Sequence, residues 1–200
     1  MSTSRRKRKL TRQQQSETTR QALLDVSLEL FIRRGYAGTT VRDIAKKAGI
    51  SVGLMFHYFS SKQALLEAHI ETVERGLDSV AAILNSSETS IDTFRQIADL
   101  ILGSFQEPYG RNLFLLANQV LSLDSIPNAV KRRVSATKSL QASVPVIMRG
   151  QARGEIRSGD PLALAVAFWG ALQGIAEVLV WNPKAPIPKV EHIISILARH

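Results

Sequence analysis

The chain has 200 residues, 44% of them apolar, no cysteine and a formal net charge of +9. That length and apolar share suit one or two domains with a genuine core. The lack of cysteine excludes a disulfide scaffold and a cysteine-ligated zinc site, and the four histidines stand singly, without metal-ligand spacing.

The charge is unevenly distributed. Up to Lys62 there are 13 Lys and Arg against 4 Asp and Glu, and from Gln63 onward there are 13 of each. A basic first third joined to a neutral remainder points to a polyanionic partner for the first part, the alternative being a solvated basic surface. The start MSTSRRKRKL is followed by polar TRQQQSETTR, where an export signal needs an apolar stretch, so a cytoplasmic setting is expected. Residues 1–15 lack apolar periodicity and read as a disordered basic arm. Arg5, Arg6, Lys7, Arg8 and Lys9 would reach DNA phosphates or a minor groove, or else serve only as a solubilising tail.

From about Ser16 to Arg34, Ala22, Leu23, Val26, Leu30 and Phe31 repeat at helical spacing, and Gly35 follows as a stop. Thr40 and Asp43 form a capping box for a second helix with Ile44, Ala45 and Ala48 on its apolar side. Gly49 stands where a helix ends in a left-handed residue, Ser51 offers the next N-cap, and Met55, Tyr58 and Phe59 give the third helix its apolar side. Helix, tight turn and helix make a helix-turn-helix. A Ser60 to Gln63 capping signature then opens a helix to about Leu84. Further helices are expected near 89–107, 111–123, 127–152, 160–181 and 188–199, with Pro145 kinking the third of these near Gln141.

The stretch Leu162 to Trp181 is long and apolar enough to span a membrane, with Gly170 and Gly174 in GxxxG spacing. Gln173 and Glu177 interrupt it, and no basic cluster flanks it, so no membrane partner is expected. A helix apolar all round is read instead as buried between its own domain and a second copy. Phe168, Leu172, Ile175, Leu179, Ile193 and Leu197 are the expected homodimer interface.

Gly35-Tyr36, the run Thr39 to Ala45, Ala48 to Ser51, Gly53, His57-Tyr58-Phe59 and Lys62 together closely resemble the N-terminal domain of TetR-type transcriptional regulators. More loosely, GEIRSGDP followed by FWGALQGIAEV is similar to the start of that family's dimer-forming helix. The resemblance implies an all-α homodimer. A three-helix helix-turn-helix DNA-binding domain, 16–61, would precede a larger helical ligand-binding and dimerisation domain, 62–200. Such proteins usually repress from a near-palindromic double-stranded DNA operator until a small-molecule effector releases them. Carried over by position, Thr40 and Arg42 meet phosphates or base edges. Ser51, Val52, Gly53, Leu54, Phe56, His57 and Tyr58 belong to the recognition region, and Lys62 contacts a phosphate. Val52 and Phe56 depart from the polar or basic residue and the tyrosine frequent in the family. Base choice therefore leans on thymine methyl contacts, His57, Arg42 and groove shape.

Phe94, Phe105, Phe114, Asn118, Met148, Trp169 and Gln173 are candidates for a mostly apolar effector pocket. No cofactor or metal is implied, and no nucleotide loop or nucleophile motif points to an enzyme. The competing expectation is a nucleoid-associated or structural DNA binder of the same fold without an effector.

Overall fold

The first helix begins earlier than its apolar periodicity does. Thr11 and Gln14 close a reciprocal capping box, and α1 runs over Arg12–Arg34. Residues 11–15 are therefore helical rather than part of an arm, because a Thr-x-x-Gln cap and a run of glutamines favour helix without needing buried partners. A computed structural model describes residues 11–86, 89–120, 126, 128–134 and 136–199. The arm cations Arg5, Arg6, Lys7, Arg8 and Lys9 lie outside the described residues.

The chain divides into two units between Leu65 and Leu66. In the first, α1 is followed by α2, Val41–Ala48, and α3, Val52–Tyr58. Thr40 caps α2 with the expected box, and Ser51 Oγ accepts the Leu54 N–H at 3.1 Å to cap α3. Gly49 joins the two helices at φ 70°, a left-handed conformation that only glycine adopts freely, while the Ile50 N–H donates to Ala45 O at 3.0 Å. Leu23, Leu28, Ile44, Ala45 and Met55 form a core sealed from solvent.

The division falls inside α4, Lys62–Leu84, whose cap is Ser61, with its Oγ accepting the Ala64 N–H at 3.0 Å. The second unit continues through α5, Ser90–Ser104, and α6, Pro108–Gln119. Then come α7, Asn128–Arg133, α8, Ala136–Ala152, α9, Pro161–Trp181, and α10, Val190–Ile194. Pro108 opens α6 at a position where its missing N–H costs nothing. The expected helix over 127–152 is two: the apolar pattern ran through the break because Val130 and Val134, four residues apart, are both buried. Arg133 ties α7 to α4 through paired hydrogen bonds to Glu74 at 2.8 and 2.6 Å. The helix expected over 188–199 is confined to α10, since beyond it the chain turns so that Ala198 pairs with Ile156 in an antiparallel bridge.

That bridge belongs to a tightly built corner. Glu155 Oε2 accepts the Ser90 N–H at 2.7 Å, placing a carboxylate at the positive end of α5. A Cβ on Gly150 would lie 2.7 Å from both Ile156 and Ser90 side chains, so only glycine permits the approach. Next to this corner α9 packs on α8, α6, α10 and α5. It starts from Asp160, whose Oδ1 accepts the N–H groups of Leu162 and Ala163. Phe168 sits at the centre of the unit, edge-on to Phe94 with ring centroids 5.0 Å apart, both sealed from solvent. Phe168→Ala is expected to lower the unfolding free energy by about 3–5 kcal/mol, read from urea denaturation; a loss below about 1 kcal/mol would contradict this central position.

Candidate nucleic-acid interface and an uncharged cavity

The exposed side of α3 carries Gly53, Leu54, Phe56 and His57, with Val52 and Tyr58 half-buried. Phe56 is 47% exposed and Leu54 41%, so neither side chain is needed for the core that Met55 fills. A Cβ on Gly53 would meet only Ser51 Oγ, at 4.0 Å. Nothing in the fold requires glycine there, and the bare backbone leaves α3 open to close approach by another molecule. Arg42 is exposed on the first turn of α2.

Two of the hydroxyls expected at DNA also have intramolecular roles. Ser51 caps α3. The Thr40 Oγ1 donates to Asp43 Oδ2 at 2.6 Å and accepts the Asp43 N–H at 3.1 Å, while the Thr40 N–H donates to the same carboxylate at 3.0 Å. These bonds from Thr40 hold the Asp43 carboxyl below the usual carboxylate range.

Lys62 departs from its expected role. Its Nζ donates to Tyr36 O at 2.7 Å and to Thr39 O at 2.9 Å and lies 4.2 Å from the centre of the Tyr36 ring. Partial burial lowers its pKa. This ammonium clamps the link between α1 and α2 to the start of α4. Thr39 anchors the same link from the other side, its buried hydroxyl lying 3.2 Å from Leu30 O and 2.9 Å from Gly35 O. Sequence reading missed Thr39, which the local pattern offered only as a neighbour of the cap. Lys62→Ala should destabilise the first unit by roughly 1.5–3 kcal/mol, the worth of hydrogen bonds from a charged donor. Its DNA binding should keep an unchanged salt slope; a slope reduced by about one in titrations over a salt range would return Lys62 to phosphate contact.

The second unit contains a cavity of about 730 Å³ between α4, α5, α6, α8 and α9. Of the residues expected to line a pocket, Phe114, Asn118, Trp169 and Gln173 do so. Phe94 and Phe105 do not: both are sealed in the core, Phe94 against Phe168 and Phe105 edge-on to Phe114 at 5.4 Å. Met148 is 57% exposed on α8 and does not line the cavity. Sequence reading missed Thr72, Gly76 and Val80, which line one wall at four-residue spacing on α4, and Tyr109 on α6. A usable signal was the glycine inside two helices: a Cβ on Gly76 or Gly170 would meet nothing within 4 Å, so both leave room rather than permit close packing.

Tyr109 also joins the wall to a buried group. Its hydroxyl lies 3.1 Å from His69 Nδ1, and burial holds His69 at a pKa of about 3, against an ordinary 6.5. The folded chain thus keeps His69 neutral where the unfolded chain protonates it. The resulting stability is complete above about pH 6.5 and is lost as pH falls from there toward 3. Urea unfolding at pH 7.5 and pH 5 should show a smaller drop for His69→Gln than for the parent chain; equal drops would exclude this assignment.

The expected dimer residues are also corrected. Phe168, Leu172, Leu179, Ile193 and Leu197 are at most 4% exposed, enclosed by their own chain, and Ile175 is half-buried. The first five face the core of the single subunit, where a second copy has no access, and Ile175 alone of the six keeps a partly exposed surface. Leu162, Val178 and Trp181 of α9 are exposed, as is Val166, which also lines the cavity.

A sequence profile described as "Bacterial regulatory proteins, tetR family" matches residues 23–69, from within α1 into α4 and across the whole helix-turn-helix. The chain belongs to the TetR family. Over 88 residues it is 39% identical to the HTH-type transcriptional repressor KstR2 of Rhodococcus jostii, a match covering 36% of this chain and 43% of that protein. Over 172 residues it is 25% identical to the HTH-type transcriptional regulator TtgR of Pseudomonas putida, covering 81% of this chain and 80% of that one. Matched residues thus span less than half the length of KstR2. Among solved structures, the MbdR regulator from Azoarcus sp. CIB superposes with a TM-score of 0.70 at 22% identity, over 89% of this chain and 96% of the other. That likeness concerns the fold alone.

Proposed function

We propose that this TetR-family protein is a sequence-specific DNA-binding transcriptional regulator, acting as a homodimer on a near-palindromic operator and most simply as a repressor released by a small molecule. The observation that carries this reading is the exposed, capped α3, with Gly53, Leu54, Phe56 and His57 free of core duties and Arg42 on the next helix. Such a helix fits a major groove, where apolar side chains meet thymine methyl groups and His57 meets a base edge or phosphate. The basic arm adds counterion release without sequence preference. A role on the bacterial chromosome goes with a cytoplasmic location, and no part of this reading needs catalysis.

Dimerisation is assigned to the exposed apolar side chains toward the end of α9, Val178 and Trp181, which stand three residues apart on one side of the helix. Two copies would set their recognition helices about one helical turn of DNA apart, roughly 34–36 Å. Effector control is assigned to α4, because one helix carries both the Lys62 clamp and the cavity residues Thr72, Gly76 and Val80. A ligand preferring one placement of α4 would shift the population of operator-competent dimers by its differential affinity. The cavity favours this over the effector-free, nucleoid-associated reading.

Recovery of bound genomic fragments supplies the operator, and titration across salt concentrations then tests the contacts. Arg42→Ala should weaken binding and reduce the magnitude of the log–log salt slope by about one. Phe56→Ala should leave the slope intact and lose about 1–3 kcal/mol of discrimination at one base pair. Binding that ignores both substitutions would remove α2 and α3 from the interface.

A further inference from the structure

Among the described residues, none that lines the cavity is Asp, Glu, Lys, Arg or His. A charged ligand group within it would leave water without a compensating partner. What the wall does offer is set by how its polar side chains are already engaged. The Trp169 Nε1–H donates to Ser143 Oγ at 3.0 Å, and that hydroxyl donates onward to Ser139 O at 2.7 Å. The hydroxyls of Thr72, Ser79 and Ser104 donate to the carbonyls of Ala68, Arg75 and Ile101, and Thr72 Oγ1 also accepts from Arg75 Nη2 at 2.9 Å. One amide N–H of Asn118 donates to Phe114 O at 2.9 Å, and one of Gln173 to Glu177 Oε1 at 3.0 Å.

These last two partners are acceptors only, a backbone carbonyl and a carboxylate, so they fix which end of each amide is nitrogen. Asn118 Oδ1 and Gln173 Oε1 accept no hydrogen bond among the described residues, and the hydroxyls keep lone pairs after donating. The wall is thus largely apolar, flanked by Phe114 and Trp169 rings, with free acceptors at Asn118 Oδ1 and Gln173 Oε1.

We propose that this cavity takes a flat, uncharged, largely apolar molecule bearing at least one hydrogen-bond donor, a ring hydroxyl or N–H, received by Asn118 Oδ1 or Gln173 Oε1. The assignment rests on the regulator reading of the cavity and specifies the chemistry of its ligand. A ring carboxylate of the same size is disfavoured because no cation lines the cavity among the described residues, and Arg75, the guanidinium that bonds Thr72, is not itself part of the wall.

Three probes of one skeleton test this: biphenyl, 4-phenylphenol and biphenyl-4-carboxylate. Each is titrated without DNA into the full-length Trp181→Phe protein, where Trp169 is the remaining tryptophan. The phenol should bind about five- to tenfold more tightly than biphenyl, the contribution of one neutral hydrogen bond, and at least tenfold more tightly than the carboxylate. Combining Asn118→Ala with Gln173→Ala should abolish the preference for the phenol and retain biphenyl binding. Should that pair fail to fold, Gln173→Ala alone, at an exposed position of α9, must still reduce the phenol-to-biphenyl ratio. A carboxylate that binds as well as the phenol, a phenol no better than biphenyl, a preference that survives the substitutions, or binding of none of the three would overturn the proposal. Operator titrations separate its fate from that of the regulator reading. A phenol that binds in this pattern but leaves operator binding unchanged counts against effector control alone, whereas release by the carboxylate and not the phenol refutes the cavity chemistry alone.

Discussion

The Lys62 ammonium holds the start of α2 in place. Its bonds to Tyr36 O and Thr39 O fix the four-residue link before Thr40, and the buried Thr39 hydroxyl fixes the same link to Leu30 and Gly35. With that link set, Thr40 can close its capping box and α2 begins at a defined place. The Gly49 turn then carries the definition to Ser51 and α3. A desolvated lysine on backbone carbonyls is well suited to this role, since three donors on a flexible stem can satisfy two oxygens and still lie against a ring.

Charge and contact are divided within the first unit. The cations lie on the arm, α1 and α2, whereas the exposed face of α3 offers Leu54 and Phe56. Phosphate contacts position a protein on DNA, and base-edge contacts select the sequence. A reader of this composition takes its orientation from its surroundings and its selectivity from methyl groups and groove width.

What the sequence made legible is what short-range chemistry determines. Thr40 with Asp43, Gly49 and Ser51 each act within a few residues, so the helix-turn-helix follows from spacing alone. The Lys62 clamp spans 23 and 26 residues, and the Tyr109 to His69 contact spans 40, distances at which a linear pattern carries no geometry. The start of α1 was legible in the Thr11 to Gln14 pair but hidden behind the lack of apolar residues, which is the signal for burial and not for helix. Two of the seven pocket expectations failed for a related reason: Phe94 and Phe105 are aromatic like Phe114, and side-chain type does not say which ring closes the core and which faces space.

The interface residues failed because α9 has no polar side from which to take a phase. An amphipathic helix declares its buried face through its period, whereas α9 is apolar on three. Phe168, Leu172 and Leu179 enter the core, Val166, Trp169 and Gln173 line the cavity, and Val178 and Trp181 are exposed on a further side. Its 21 residues are long and apolar enough to cross a membrane, yet the polar groups on it are engaged in ways that fit a folded domain. Gln173 donates to Glu177, and the Trp169 N–H reaches across to Ser143 on α8. Because one helix forms core, cavity wall and exposed side, the proposed effector and dimer surfaces would share α9, and a ligand that rotates or shifts this helix would also change the surface offered to a second copy. Such coupling needs no separate transmitting element, only that α9 keep its three faces in fixed register along a single rigid helix.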